Sequence, residues 1–258
     1  MGHHKTGSVR PHRDRPTRET VTVQSLAARL EHRLHWEELD QEQLASGCAF
    51  AVESGLAAVL CRPEHVALAA GHVAGSGVDV VTALGFHDTS SPQRVPAALA
   101  DEAALLASQG ADEVSLIAAP GTMTDAGVDL LVDQIQTVRN TLSDRRTTVR
   151  VLLNTIGMGS DEVWRACEAM ATAGASLVQG GSFRGDRTPF SQIEAMRAAL
   201  PAEVLLKWTQ PVRSVETMLV CIALGVDRFN GEPSDLLAAA ARNSRIAPLS
   251  LPIPDIDF

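Results

Sequence analysis

The sequence predicts an α/β fold in which short parallel strands alternate with amphipathic helices. From Leu26 onward, apolar runs that suit buried strands recur along the chain, and successive runs begin 22 to 35 residues apart. The stretches between them have the apolar spacing of helices. This is the spacing of βα units, which bring their strands together in a parallel sheet covered by helices.

Seven apolar runs are the predicted strands. They begin at Ala58, Val80, Val114, Val149, Leu177, Val204 and Val226. A barrel of eight βα units needs one more strand, which would have to lie near Leu30 in the charged stretch LEHRL. Periodicity alone therefore leaves two architectures open: a barrel with a short polar first strand, and an open doubly wound sheet.

Two of the intervening helices have recognisable ends. Ser160 suits the N-cap of a helix that begins at Asp161, and Gly174 can end that helix. Thr188 and Pro189 open the next helix in the same way. We find no long linker between units, so the repeat is predicted to form one domain.

Composition agrees with one globular domain flanked by two tails. The chain has 258 residues, of which 45% are apolar. We predict a flexible basic tail over residues 1–24, the α/β domain over 25–240 and a Pro-rich tail over 241–258. We read the four cysteines, which have no CxxC spacing, as reduced packing residues.

Charge and hydropathy restrict the partners. A net charge of −9 argues against broad binding to a nucleic-acid backbone. No window approaches the roughly 18 apolar residues that a membrane-spanning helix needs. We therefore expect a cytoplasmic protein that contacts neither nucleic acid nor membrane, and that uses neither a cofactor nor a metal ion.

Several blocks of the chain resemble one enzyme family in the same order. The stretch AVESGLAAVLCRPEHVALAAGHVAGSGVDVVTALGF, then QGADEVSLI, VRVLLNT, AGASLVQGGSF, KWTQPVRS and LGVDRFNG, look like successive βα units of the deoxyribose-phosphate aldolase family. The resemblance covers residues 30–237, and LEHRL takes the place of the family's short first strand. It implies a single-domain (β/α)8 TIM barrel, a lyase activity and a homodimer.

The resemblance also implies that catalytic positions have changed. The family's Schiff-base lysine on the sixth strand corresponds to Gln179, its aspartate on the fourth strand to Ser115, and its glutamate on the fifth strand to Asn154. Only the seventh-strand lysine persists, as Lys207. Since an amide cannot form an imine, the chain is predicted to be a diverged member of the family.

The family's phosphate site differs here as well. Its Gly-Gly turn after the seventh strand, which offers backbone N–H groups to a phosphate, is replaced by residues 208–211. Pro211 in that stretch has no N–H to donate. Arg213 matches a family arginine and could hold another anion. The resemblance therefore implies a carbonyl-containing substrate without a phosphate.

We predict three catalytic residues: Lys207, His87 and Glu31. A lysine near a barrel axis is desolvated, which favours the neutral amine as a nucleophile or a base. His87, in the run GFHDTSS, has a side chain that titrates near neutral pH. The predicted substrate-binding residues are Ser115, Asn154, Gln179, Trp208, Arg213 and Asn230.

A non-catalytic alternative remains open. The polar residues inside a barrel also satisfy one another, and Lys207 could be an ammonium held by Glu31 or Glu232. The chain would then be a pseudo-aldolase that binds a metabolite or a protein partner.

Overall fold

The computed structural model of the chain describes residues 20–85, 95–118, 125–182, 188–245 and 247–251. Eight parallel strands close into one barrel, with helices between successive strands. The predicted (β/α)8 barrel is therefore confirmed, and the open sheet is excluded. The barrel strands are β2 (Leu30–Leu34), β3 (Ala58–Cys61), β4 (Asp79–Ala83), β5 (Glu113–Ile117), β6 (Thr148–Leu152), β7 (Leu177–Gly180), β8 (Leu205–Val212) and β9 (Arg228–Gly231).

The charged stretch LEHRL is the first barrel strand, as the resemblance implied. Strand β2 pairs with β3 on one side and closes the ring with β9 on the other. Leu30 and Leu34 are buried in the apolar core, and Glu31 between them is also buried. Successive residues of a strand point to opposite faces. The strand therefore packs its leucines against the helices while its charged residues face the barrel axis.

Helices cover the outside of the barrel. They are α1 (Val23–Ala27), α2 (Gln41–Ser54), α3 (Val66–Val73), α4 (Pro96–Ser108), α5 (Asp125–Thr141), α6 (Ser160–Ala173), α7 (Phe190–Ala199), α8 (Val215–Ala223) and α9 (Pro233–Ser244). None of those in the described ranges is long and apolar enough to cross a membrane.

The ends of helix α6 follow the prediction to within one residue. Gly174 ends the helix with a positive φ of 102°, as its position indicated. The N-cap is Gly159 and not Ser160. Glu162 accounts for this shift, because its side chain accepts a hydrogen bond of 2.7 Å from the Gly159 N–H.

Regular structure extends beyond the predicted domain limits. Strand β1 (Thr20–Val21) lies within the segment 1–24 that was predicted to be a tail, helix α1 begins in that segment at Val23, and helix α9 continues past residue 240. Strand β1 pairs antiparallel with β10 (Leu249–Ser250). The described parts of both predicted tails therefore pack on the domain.

Candidate active site

A buried carboxylate, Glu31 on β2, lies at the centre of the candidate site. Its side chain is fully buried. Arg150 on β6 donates from Nη1 and Nη2 to the two oxygens of Glu31, over 3.1 and 2.6 Å. Lys207 on β8 donates from Nζ to Glu31 Oε2. Three strands thus place two cations on one carboxylate inside the barrel.

The ion pairs continue from Glu31 toward the amino-terminal end of the barrel. Arg150 also contacts Glu113 on β5. Arg228 on β9 lies 3.8 Å from Glu31 Oε1 and 3.2 Å from Asp79 Oδ2 on β4. The three carboxylates and three cations of this cluster balance one another, as buried charges must if they are to remain ionised, and Asp79, 44% exposed, lies at its solvent edge. We call this set the buried ion cluster.

Strand register brings the cluster together. Arg150 pairs with Ser115, and Lys207 pairs with both Gln179 and Arg228. Neighbouring residues in a parallel sheet share a face, so all five side chains point to the barrel interior. The apolar residues that alternate with them pack outward in the core.

The protonation of Glu31 and Lys207 follows from their surroundings. Burial raises the pKa of Glu31, but the charges of Arg150 and Lys207 outweigh it and hold that pKa far below its ordinary value. Burial and the nearby charge of Arg150 lower the pKa of Lys207 to about 8, against the opposing effect of Glu31. Glu31 therefore stays ionised, and Lys207 is the member of the pair that can lose its proton near neutral pH.

Gln179 on β7 bridges the buried ion cluster and the carboxyl end of the barrel. Its Oε1 accepts from Arg150 Nη1 over 3.4 Å, and its Nε2 donates to Thr209 Oγ1 over 3.0 Å. Thr209 is the next inward residue of β8 after Lys207. The amide of Gln179 therefore lies beside Lys207, toward the mouth of the barrel.

Two further predicted residues line the same interior. Ser115 and Asn230 are buried and face inward on β5 and β9. Asn230 Oδ1 is buried without a hydrogen-bond partner in the described structure. It is therefore a free acceptor in the wall of the candidate site.

The remaining predicted substrate-binding residues do not take part in this buried network. Trp208 is almost fully buried and belongs to the apolar core. Its register partner Gly180 faces Met196 of helix α7, so Trp208 points outward, away from substrate. Asn154 and Arg213 are exposed beyond the inward network. His87 lies outside the described residues.

No group of His, Cys, Asp and Glu side chains within the described ranges is arranged to hold a metal ion. His32 follows Glu31 on β2 and therefore points to the opposite face, where it makes an edge contact with Phe50 at 5.4 Å between ring centroids. The four cysteines are free thiols in buried positions. Burial raises the pKa of each thiol, which suits packing residues.

Sequence reasoning missed four members of the buried ion cluster: Glu113, Arg150, Arg228 and Asp79. Each is a charged residue within or at the edge of a predicted strand, as in VRVLL and VDRF. A charged side chain inside an apolar strand run is a signal that the interior holds a partner of opposite charge. The partner strands could not be read from the sequence.

The comparisons with known proteins place this closed (β/α)8 barrel, with its buried lysine, among the aldolase-like lyases. No family model matches the chain. Deoxyribose-phosphate aldolase of Clostridium perfringens strain 13 is 30% identical over 213 residues, which cover 82% of this chain and 93% of the relative. Deoxyribose-phosphate aldolase of Rhodospirillum rubrum is 28% identical over 217 residues, 84% of this chain and 89% of the relative.

The solved structure of deoxyribose phosphate aldolase from Aeropyrum pernix has the same fold. It superposes with a TM-score of 0.72 at 16% identity and covers 88% of this chain and 94% of its own. The chain belongs to the deoxyribose-phosphate aldolase family.

The buried ion cluster makes a prediction about stability. Replacing Arg150 by Met leaves Glu31 and Glu113 without their shared cation, so we expect the free energy of unfolding to fall by about 3–5 kcal/mol. The control is Arg33→Met, which removes a pair with the exposed Glu232 and should cost about 1 kcal/mol or less. Urea denaturation of both variants measures the difference, and equal losses would contradict the assigned importance of the cluster.

Proposed function

We propose that the enzyme is a diverged aldolase-like lyase that acts on a carbonyl compound without a phosphate group, with Lys207 as the reactive amine. The observation that carries the proposal is the environment of Lys207. Its amine is buried beside the guanidinium of Arg150, and these two effects lower its pKa to about 8 although it also contacts the ionised Glu31. Burial and a lowered pKa are the conditions that turn a lysine into a nucleophile or a base.

The proposed reaction begins when the neutral amine of Lys207 attacks the substrate carbonyl. The carbinolamine takes up a proton from solvent on its hydroxyl group, loses water and becomes an iminium ion. Cleavage of the adjacent C–C bond moves its electron pair into the iminium, while a base accepts the proton of the β-hydroxyl group. Glu31 is too weak a base for this transfer, but its charge stabilises the iminium. We retain His87 as the proposed proton acceptor.

Inward polar groups would orient the substrate. Gln179 and Ser115 offer hydrogen bonds near Lys207, and Asn230 Oδ1 can accept one from a substrate hydroxyl. Lys207 has no exposed surface, and we propose that Gln179 gives up its hydrogen bond to Thr209 to admit the substrate. An amide side chain can rotate away without leaving a buried charge.

The carboxyl ends of β8 and β9 support a substrate without a phosphate. Strand β8 continues through Pro211 to Val212, and Val212 pairs with Gly231, so backbone groups at this end are used in the sheet and not free for an anion. Helix α9 begins with Glu232 as N-cap followed by Pro233. A carboxylate and a missing N–H at this helix end both oppose phosphate binding. The relatives, by contrast, are named for a phosphorylated sugar.

Trapping of the imine tests the proposal directly. Incubation with small aldehydes or ketones and borohydride should attach a reduced adduct to Lys207, located by peptide mass spectrometry. The chain contains two lysines, Lys5 and Lys207, so the assignment is unambiguous. Lys207→Met should abolish the adduct, while Lys5→Met should leave it unchanged. An adduct restricted to Lys5 or the amino terminus would overturn the role of Lys207.

The pH dependence of adduct formation gives a second test. Because the neutral amine reacts, the rate should rise about tenfold per pH unit below about 8 and level off above it. For a lysine of ordinary pKa, the plateau would begin two to three units higher. Removal of the Arg150 charge in Arg150→Met should shift the midpoint upward, since that charge lowers the pKa of Lys207. A midpoint above 10 in the unaltered protein would contradict the assigned environment.

One observation favours a non-catalytic alternative. Lys207 has no exposed surface and is held by Glu31, as in a purely structural ion pair. If trapping fails with every carbonyl compound and calorimetry still detects metabolite binding, the chain is a binding protein built on an aldolase barrel.

A further inference from the structure

The inner wall of the barrel has two chemically different sides. Strands β6 to β9 and β2 contribute all of its lysine, arginine and amide groups, together with Leu152, Leu177 and Leu205. Strands β3 and β4 contribute mainly apolar ones, at Ala58, Leu60, Val81 and Ala83. Their orientation follows from register, because Ala58 pairs with the inward Glu31 and Ala83 pairs with the inward Ser115.

The apolar side lies across the barrel axis from Lys207. Strands β4 and β8 are four positions apart in a ring of eight, so they face each other. Leu60 is half-buried and pairs with the inward Arg33. Ala83 lies at the carboxyl end of β4. A molecule with its carbonyl at Lys207 therefore has its other end near these side chains.

Ile117 continues this apolar side to the mouth. It is the last residue of β5 and lies two residues after the inward Ser115, so it shares its face. Its side chain is 39% exposed, whereas Ser115 below it is 2% exposed. A large aliphatic group that is open to solvent on a concave inner wall marks a binding surface for an apolar group.

Other exposed apolar groups follow strand ends at the same rim. Trp36 after β2 and Ile156 after β6 are 51% and 42% exposed. Trp36 is held in place, because its ring stacks on His35 at 4.8 Å between centroids and Arg33 lies 5.1 Å from its centroid. The rim therefore carries apolar groups beyond Ile117 as well, beside polar residues such as Asn154.

We propose that Leu60, Ala83 and Ile117 form an apolar wall that binds a hydrocarbon group of the substrate while the carbonyl faces Lys207. The substrate class is then an aldehyde or ketone with an alkyl or aryl chain where a phosphorylated chain would otherwise lie. This inference rests on the proposed function, since it takes Lys207 as the point that fixes the carbonyl. The wall and the amine share one interior, so the occupant of the wall is the substrate itself.

A homologous series of straight-chain aldehydes, from propanal to heptanal, tests the wall. The second-order rate of borohydride-trapped adduct formation on Lys207 should rise about fourfold per added methylene, which corresponds to burial of one CH2 group at ~0.8 kcal/mol. Ile117→Asn should flatten this dependence, so that the ratio of the heptanal rate to the propanal rate falls more than tenfold. Ile117→Leu should preserve the slope.

The matched control is Leu105→Asn, which changes an exposed leucine of helix α4, 57% exposed, on the outer surface. It should leave every rate unchanged. A flat chain-length dependence in the unaltered protein would overturn the proposal that the apolar wall binds the hydrocarbon group. So would an unchanged slope in Ile117→Asn, provided that the thermal unfolding of this variant is unchanged.

A parallel binding series separates this result from failure of the proposed chemistry. Primary alcohols from propanol to heptanol cannot form an imine, and calorimetry gives their affinities without any reaction. Absence of adducts with all aldehydes would defeat the role of Lys207. The apolar wall would still be supported if the affinities of the alcohols rise with chain length in the unaltered protein and not in Ile117→Asn. It would be overturned if the affinities do not rise with chain length in the unaltered protein, or rise equally in Ile117→Asn.

Discussion

The structure depends on the ion pair between Glu31 and Arg150. Strands β2 and β6 lie four positions apart in the ring, so this pair connects opposite sides of the barrel through its interior. Ions that leave water for such a site lose their hydration, and they are tolerated only when partners replace it. The bidentate contact satisfies Glu31 on both oxygens. The other charged groups of the interior are arranged about this pair: Lys207 and Arg228 lie next to Glu31, and Glu113 contacts Arg150.

Lys207 is the group most affected by this arrangement. A lysine alone with a buried carboxylate would form a simple ion pair and keep its proton. Here the carboxylate is shared with Arg150, whose own charge repels an ammonium ion, and burial removes the water that would stabilise it. The guanidinium that supplies this repulsion belongs to Arg150 on β6, the fifth strand of the barrel.

The sequence predicted the fold more completely than the site. Apolar periodicity located seven strands, but the charged strand β2 came only from the resemblance, since its burial depends on cations from β6 and β8. Lys207 and Glu31 were correctly identified as interior residues. Trp208 was placed in the same pocket, although it follows Lys207 directly and alternation sends it outward. Arg150 was missed because its partners are distant in sequence and no local pattern identifies them.

Charge balance explains how Lys207 can give up a proton while Glu31 remains ionised. With Lys207 neutral, the buried ion cluster would carry one excess negative charge, and a buried excess charge is costly. Glu113 is the carboxylate that can take up a proton to offset this charge. Burial, reinforced by the charge of Glu31, raises its pKa even though Arg150 opposes that shift. Three cations hold the pKa of Glu31 low, so Glu31 does not take up a proton in this way. The cluster therefore favours protonation of Glu113 when Lys207 is neutral. Arg150 contacts both Glu113 and Glu31, the partner of Lys207, and so couples the protonation of Glu113 to that of Lys207.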